Sequence, residues 1–238
     1  MKKTILLSSV FIGGAALAAA TVPSENAIGV LEASASNQSK TMLVAVPFVG
    51  YAEGNTAIKV TDLVATTGLP EGTKLRVAKA GGYDVYVLNA GKWEPSTALS
   101  INENGGAVET TSGSSDGAVA SQGDSFWLII PTEGTKPDRF TLIGQMPSSA
   151  TGSRNLESGK WNLIGNPGVG TYQLNVTGAA FGDQAVIITA EGKQCRYTYK
   201  PGKGWRTQGS SGQWVDGSLT LSPGFGCWIL TAGTKVTW

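Results

Sequence analysis

Histidine is absent from this 238-residue chain, and that absence excludes more than any residue present. A Ser-His-Asp triad, a Cys-His pair and nearly every zinc or copper site need an imidazole. Charge is scarce as well: only 15% of residues are charged, and 18 Lys+Arg against 17 Asp+Glu leave a net charge of +1. Such a balance gives no electrostatic funnel for a nucleic-acid backbone, so nucleic acid is not an expected partner. Phosphate-cradling loops are missing too. Gly202-Lys203-Gly204 lacks the earlier glycine and the following Ser/Thr of a nucleotide loop, and Gly224-Phe-Gly226 runs into Cys227-Trp228 and an apolar strand instead of a helix. No cofactor or metal is expected. Beyond the first residues, no stretch shows an amphipathic helix of useful length.

What is abundant is glycine, 33 residues, with 10 prolines and 41% hydrophobic residues. That composition fits many short strands joined by tight turns around a sizeable core. The expected fold class is all-β.

Met1-Lys2-Lys3 is a charged n-region, Thr4 to Leu17 an apolar run rich in small residues, and Ala18-Ala19-Ala20 a small-x-small cleavage site. Residues 1–20 therefore have the form of a secretory signal peptide, too short in its apolar part for a bilayer span of ~20 residues and followed at once by polar sequence. The expectation is a periplasmic, cell-surface or secreted protein starting at Thr21, with 21–26 as an exposed leader and no transmembrane anchor.

The remainder falls into two copies around Gly159-Lys-Trp-Asn-Leu-Ile-Gly-Asn-Pro167. Lys40, Leu43, Val44 and Pro47 are answered by Lys160, Leu163, Ile164 and Pro167. Gly72-Thr-Lys-Leu-Arg-Val77 answers Gly182-Asp-Gln-Ala-Val-Ile187, Trp93 answers Trp205, Phe126-Trp127 answers Cys227-Trp228, and Phe140-Thr-Leu142 answers Val236-Thr-Trp238. Ala27-Ile-Gly29 is matched in the same way to Leu142-Ile-Gly144. Short signals recurring in one order, with the offset drifting only between them, are the mark of duplication with insertions in loops. The expected organisation is two tandem related β-sandwich or small β-barrel modules, 27–146 and 159–238, with 147–158 as the junction.

Within the first copy, 41–48 is a buried strand ended by proline, and 58–65 is a strand or a short helix. Leu75–Ala80 and Tyr83–Asn89 flank Gly81-Gly82 as a hairpin with the turn at those glycines. Ser96 to Ala120, rich in Gly, Ser, Thr and Asn, is expected as a long mobile loop, with Gln208 to Gly217 its shorter counterpart.

Trp-Asn-Leu-Ile-Gly-Asn-Pro, a Gly-Asp turn entering a strand, the lone Gly204-Trp205 and the late Pro223-Gly-Phe-Gly-Cys-Trp228 together resemble a β-rich repeat of exported, uncharacterised bacterial proteins. The second copy matches more fully; the first has Thr41 for the tryptophan and Val46 for the second asparagine. The resemblance implies export and repeat architecture, and brings no activity or site residues.

Carboxylates are the remaining catalytic resource, yet Asp124 and Asp183 each follow a glycine directly before an apolar strand, where Asp commonly bonds the backbone N–H groups of a turn. A glycosidase pairing two carboxylates is the remote reading. Trp127 and Trp228 sit in matched apolar strands and are expected in the core. Trp214, alone among small polar residues, is the candidate ligand-binding residue. Cys195 and Cys227 lie in the second copy of an exported chain, and a disulfide between neighbouring strands is expected. The function these features predict is that of a non-catalytic surface or extracellular protein with a structural or adhesive role, contacting an extracellular macromolecule, a glycan or other surface proteins. The alternative is a glycan-binding module.

Overall fold

The computed structural model describes residues 27–36, 38–51, 56–79, 82–101, 107–111, 117–147, 152–188, 194–209 and 211–238, without the side chains of 82, 97–101, 107–111 and 188. Residues 1–26, on which the expected signal peptide and leader fall, lie outside them, as do Asn37, Ala80 and Gly81. The chain is all-β, with a single-turn helix as its helical content among the described residues.

Its first part carries β1 (Ile28–Ser34), β2 (Thr41–Ala45), β3 (Ala57–Lys59), α1 (Val60–Leu63), β4 (Lys74–Lys79), β5 (Gly82–Asn89), β6 (Lys92–Ile101), β7 (Ala107–Thr111), β8 (Val119–Ser121), β9 (Ser125–Ile129) and β10 (Arg139–Gln145). There follow β11 (Ser153–Asn155), β12 (Trp161–Gly165), β13 (Tyr172–Gln173), β14 (Asn175–Thr177), β15 (Gln184–Ile188), β16 (Gln194–Lys200), β17 (Gly204–Gln208), β18 (Trp214–Asp216), β19 (Thr220–Leu221), β20 (Gly226–Leu230) and β21 (Lys235–Thr237).

Two six-stranded sheets dominate, ordered β2-β9-β4-β5-β6-β7 and β12-β20-β15-β16-β17-β18, so their strands follow one another in the same relative order. Neither closes into a barrel. Each has smaller companions: β1-β10 and β3-β8 beside the first, β11-β21-β14 and β13-β19 beside the second. Val64, just after α1, bridges to Leu142 of β10, much as β14 adds to β21.

Alternation explains where the cores lie. In β9 Phe126 and Leu128 point inward, in β2 Met42 and Val44, in β4 Leu75 and Val77, in β5 Tyr86 and Leu88. They pack against Leu31 and Ala33 of β1, Phe140 and Leu142 of β10, and Val60 and Leu63 of α1, giving a two-layer core. A second cluster gathers Ile164, Ala185, Ile187, Trp205, Cys227, Ile229 and Val236. Each fully buried aliphatic or aromatic side chain contributes roughly 1.5–3 kcal/mol of burial free energy.

The two large sheets meet through reciprocal backbone bonds. Ala45 N–H donates to Gly224 O at 2.9 Å, and Gly165 N–H to Gly123 O at 2.8 Å. Beside them Val46 N–H reaches Asp124 O (2.9 Å) and Asn166 N–H reaches Phe225 O (3.0 Å). Phe225 crosses into the first core, edge-on to Phe140 with ring centroids 5.8 Å apart. In return Trp238 packs on Gly123, and Arg154 Nε lies 3.1 Å from Asp124 Oδ1.

Several expectations are corrected. Ala27-Ile-Gly29 and Leu142-Ile-Gly144 are not equivalent positions but partners, for β1 pairs with β10 and Gly29 faces Gly144. Both glycines abut Phe48, Gly29 its ring and Gly144 its Cβ, and a Cβ on either would overlap that side chain, so each position requires glycine for the same neighbour. The segment 96–120 holds strand as well as loop, since β6 runs on to Ile101 and pairs with β7. Threonine and valine there suit an edge hairpin, whose main-chain bonds need little burial. Likewise 208–217 contains β18, and 147–158 contains β11, paired with β21. Gly82, placed in the hairpin turn by the sequence, belongs to β5 and pairs with Lys79.

Candidate ligand-binding face

The strand Trp161–Gly165 shows how the sequence builds the exposed face. Asn162 and Ile164 turn inward; Trp161, Leu163 and Gly165 turn outward. Asn162 is buried and locks the preceding turn, its amide donating to Glu157 O (3.0 Å) and Lys160 O (2.9 Å) and its oxygen accepting Glu157 N–H (2.9 Å). Asn166 does the same for the turn that follows, donating to Gly170 O (2.7 Å) and Leu221 O (3.0 Å) and accepting Gly168 N–H. The two asparagines of the motif are thus pins, and what they hold out to solvent is Trp161.

Cross-strand register extends this outward side across the second sheet, and its Gly165, Gly226 and Trp228 corner packs against the first sheet. Trp161 lies opposite Leu230, then come Gln184, Thr198, Arg206 and Asp216. The adjoining row runs Leu163, Trp228, Val186 and Arg196, and Gln208 with Trp214 completes it on β17 and β18. Five interstrand steps of about 4.8 Å separate β12 from β18, roughly 24 Å. Trp161 is 51% exposed and Trp214 41% exposed, one at each end. Lys200 Nζ stands 6.0 Å from the Trp214 ring centroid, within cation–π range. Arg206 donates to Trp214 O (2.5 Å) and its Nε lies 3.5 Å from Asp216 Oδ1, tying β18 to the sheet.

Trp214 is therefore exposed as expected, but on a strand and not in a loop. Trp161 was missed as a candidate. The alternation in Trp161-Asn-Leu-Ile-Gly165 could have found it, since with Ile164 inward Trp161 must face out.

Trp127 and Trp228 are half-buried, not core residues. Phe126 and Leu128, and Cys227 and Ile229, take the inward positions, which leaves the tryptophans on the outer faces. There they meet each other with ring centroids 4.9 Å apart and planes at 50°. Leu43, directly opposite Trp127, is 2% exposed in the same seam. Gly165, Gly226, Ala45 and Ser125 let the sheets approach: a Cβ on Gly165 would overlap the Asp124 carbonyl oxygen, and one on Gly226 would lie 2.8 Å from Ser125 Cβ.

Cys195 and Cys227 are unbonded. They stand on β16 and β20 with β15 between them, both opposite Ile187. Two interstrand steps, about 9.6 Å, exceed the reach of a disulfide. Burial pushes the Cys227 thiol pKa well up, and Arg154 opposes this only weakly.

Both aspartates do turn work. Asp124 accepts Ser121 N–H at 2.8 Å, and Asp183 accepts Ala180 N–H at 2.9 Å. Asp183 also accepts Ala232 N–H (3.0 Å) and the Thr231 hydroxyl. Each follows a left-handed glycine, Gly123 at φ 83° and Gly182 at φ 89°.

Two shallow grooves open beside the large sheets. One of about 190 Å³ is lined by Lys59, Asp62, Tyr86, Trp93 and Pro95; the other, about 310 Å³, by Asn175, Tyr199, Lys203, Trp205 and Asp216. Burial and the nearby Asp84 raise the Tyr86 pKa, leaving a neutral phenol at the first. Among the described residues no cluster of His, Cys, Asp or Glu could hold a metal ion, and no helix is long and apolar enough to cross a membrane. No family model matches the chain, and no curated protein or solved structure matches it.

Proposed function

We propose that the chain is an exported, non-catalytic surface or extracellular protein with a structural and adhesive role, built as two tandem related sandwich-like modules. Duplication is supported by the equal strand order of the two large sheets and by the reciprocal Ala45–Gly224 and Gly165–Gly123 bonds. Export is supported by the form of residues 1–20. Asp124 and Asp183, the carboxylates best placed for chemistry by sequence, are taken up by turn N–H groups, which favours a contact role over a glycosidase.

The observation that carries the reading is the second sheet's outward face, which presents Trp161 and Trp214 at opposite ends with Gln184, Thr198, Arg196 and Arg206 among the side chains between. Single exposed apolar residues are ordinary, and two tryptophans exposed on one six-stranded face support the reading of a contact surface. The same face favours a second reading, a glycan-binding module, because flat exposed rings stack on sugar faces while Gln184, Thr198 and Gln208 offer hydrogen bonds.

Two measurements test this. Mass spectrometry of the protein from its producing cells is expected to find Thr21 at the N-terminus in an extracytoplasmic fraction, and an intact Met1 in the cytosol contradicts export. Retention of the purified protein on surface material of the same cells, without turnover of that material, supports adhesion, and its absence contradicts it.

A further inference from the structure

We infer that the outward face of β12-β20-β15-β16-β17-β18 takes a linear acidic polysaccharide, with Trp161 and Trp214 stacking on sugar rings and Arg196 and Lys200 meeting carboxylates. This rests on the glycan reading above and narrows it to one class of polymer.

Charge complementarity carries the step. Among the described side chains, the outward face of this sheet holds Arg196, Lys200 and Arg206 but, as an acid, only Asp216. The whole chain is nearly balanced at 18 against 17, so this face carries a local surplus of positive charge. Asp216 is engaged by Arg206, whereas Arg196 and Lys200 belong to none of the ion pairs among the described residues.

Position sharpens the argument. Arg196 lies two strands from Trp214 across the sheet, and Lys200 stands 6.0 Å from the Trp214 ring centroid, so cations flank the exposed ring at this end of the face. A neutral glycan has no use for that surplus, and a protein partner is a poorer fit, because the centre of a protein interface is depleted in charge. A face roughly 24 Å across suits an extended polymer better than a single sugar.

The test is titration of the mature protein with polygalacturonate, with a neutral soluble β-glucan as the comparison, at low and high salt. Polygalacturonate is expected to bind, to weaken as salt rises, and to lose about tenfold in affinity in Arg196→Gln/Lys200→Gln at an unchanged melting temperature. Should the double variant fail to fold, Arg196→Gln alone is expected to show at least a threefold loss. Equal binding of the neutral glucan, with both variants unaffected, overturns the acidic preference and leaves the glycan reading standing. Retention of neither polymer overturns both. Single-stranded DNA held as tightly as polygalacturonate also overturns the inference, since the face would then respond to any polyanion.

Discussion

Trp127 and Trp228 occupy corresponding strands of the two large sheets and bring their rings to 4.9 Å, so the residues that most resemble each other in the sequence also touch. Each lies opposite a leucine, Leu43 or Leu163, on the outer face of its own sheet. The seam between the sheets is thus made from side chains on strands that hold the same place in the two sheet orders, and its strength is open to a double-mutant cycle.

Trp127→Ala and Trp228→Ala are each expected to destabilise, by about 2–4 kcal/mol, somewhat less than a fully buried tryptophan would cost. Because the rings touch, the double variant should cost less than the sum of the singles by about 0.5–1.5 kcal/mol. Urea unfolding measures the coupling, and additivity within about 0.3 kcal/mol would mean that the contact contributes nothing.

Gly165→Ala is expected to loosen the same seam, since the new methyl meets the Asp124 carbonyl, a backbone group with little freedom to yield. Overpacking of this kind costs about 1–3 kcal/mol. Gly170→Ala, where no atom stands within 4 Å of the added methyl, serves as the comparison in the same melts. Equal melting of the two variants would show that the sheets do not meet closely at Gly165.

Asp183→Ala strands the Ala180 and Ala232 N–H groups and the Thr231 hydroxyl, and should cost about 3 kcal/mol or more. Asp124→Ala removes a single turn bond and a half-exposed ion pair, for which about 1–2 kcal/mol is expected. Denaturation curves that ranked the two in the opposite order would contradict the turn assignments.

Cys227 links stability to alkaline pH. Its thiol keeps its proton in the folded chain to a higher pH than in the unfolded one, because burial disfavours the thiolate. Below the ordinary thiol pKa of about 8.5 both states are protonated and nothing is lost; above it only the unfolded state ionises, so stability falls as pH rises. Cys227→Val should remove that part of the decline between pH 7 and 9.5. An unchanged slope would mean the thiol is not sequestered. Maleimide labelling of the native protein should accordingly reach half-buried Cys195 before Cys227.

Much of this architecture was legible because buried strands announce themselves as short apolar runs. Thr41–Ala45, Ser125–Ile129 and Trp161–Gly165 needed only such a run and a nearby Pro, and the Gly-Asp turns needed only the habits of aspartate. What stayed hidden depends on pairing partners. No spacing reveals that β20 inserts between β12 and β15, and that insertion is what parts Cys195 from Cys227. The likeness of Gly29 and Gly144 came from one shared neighbour, Phe48, and sequence cannot tell a partner from a copy. Polar strands such as β7 and β18 are held by main-chain bonds at a sheet edge and leave no apolar trace. The candidate face was half visible: Trp214 stood out by isolation, whereas Trp161 was concealed inside an apolar run whose inward half drew attention to the core.

The central claim is that the outward face of the second sheet is the working surface, and one comparison bears on it most directly. Affinity for polysaccharide is measured for the purified protein, for Trp161→Ala/Trp214→Ala, and for Phe181→Ala, which removes a 74% exposed ring in the turn before β15. The account predicts that both variants melt within about 0.5 kcal/mol of the parent, that the double variant binds at least tenfold more weakly, and that Phe181→Ala binds as the parent does. Full affinity in the double variant would contradict it.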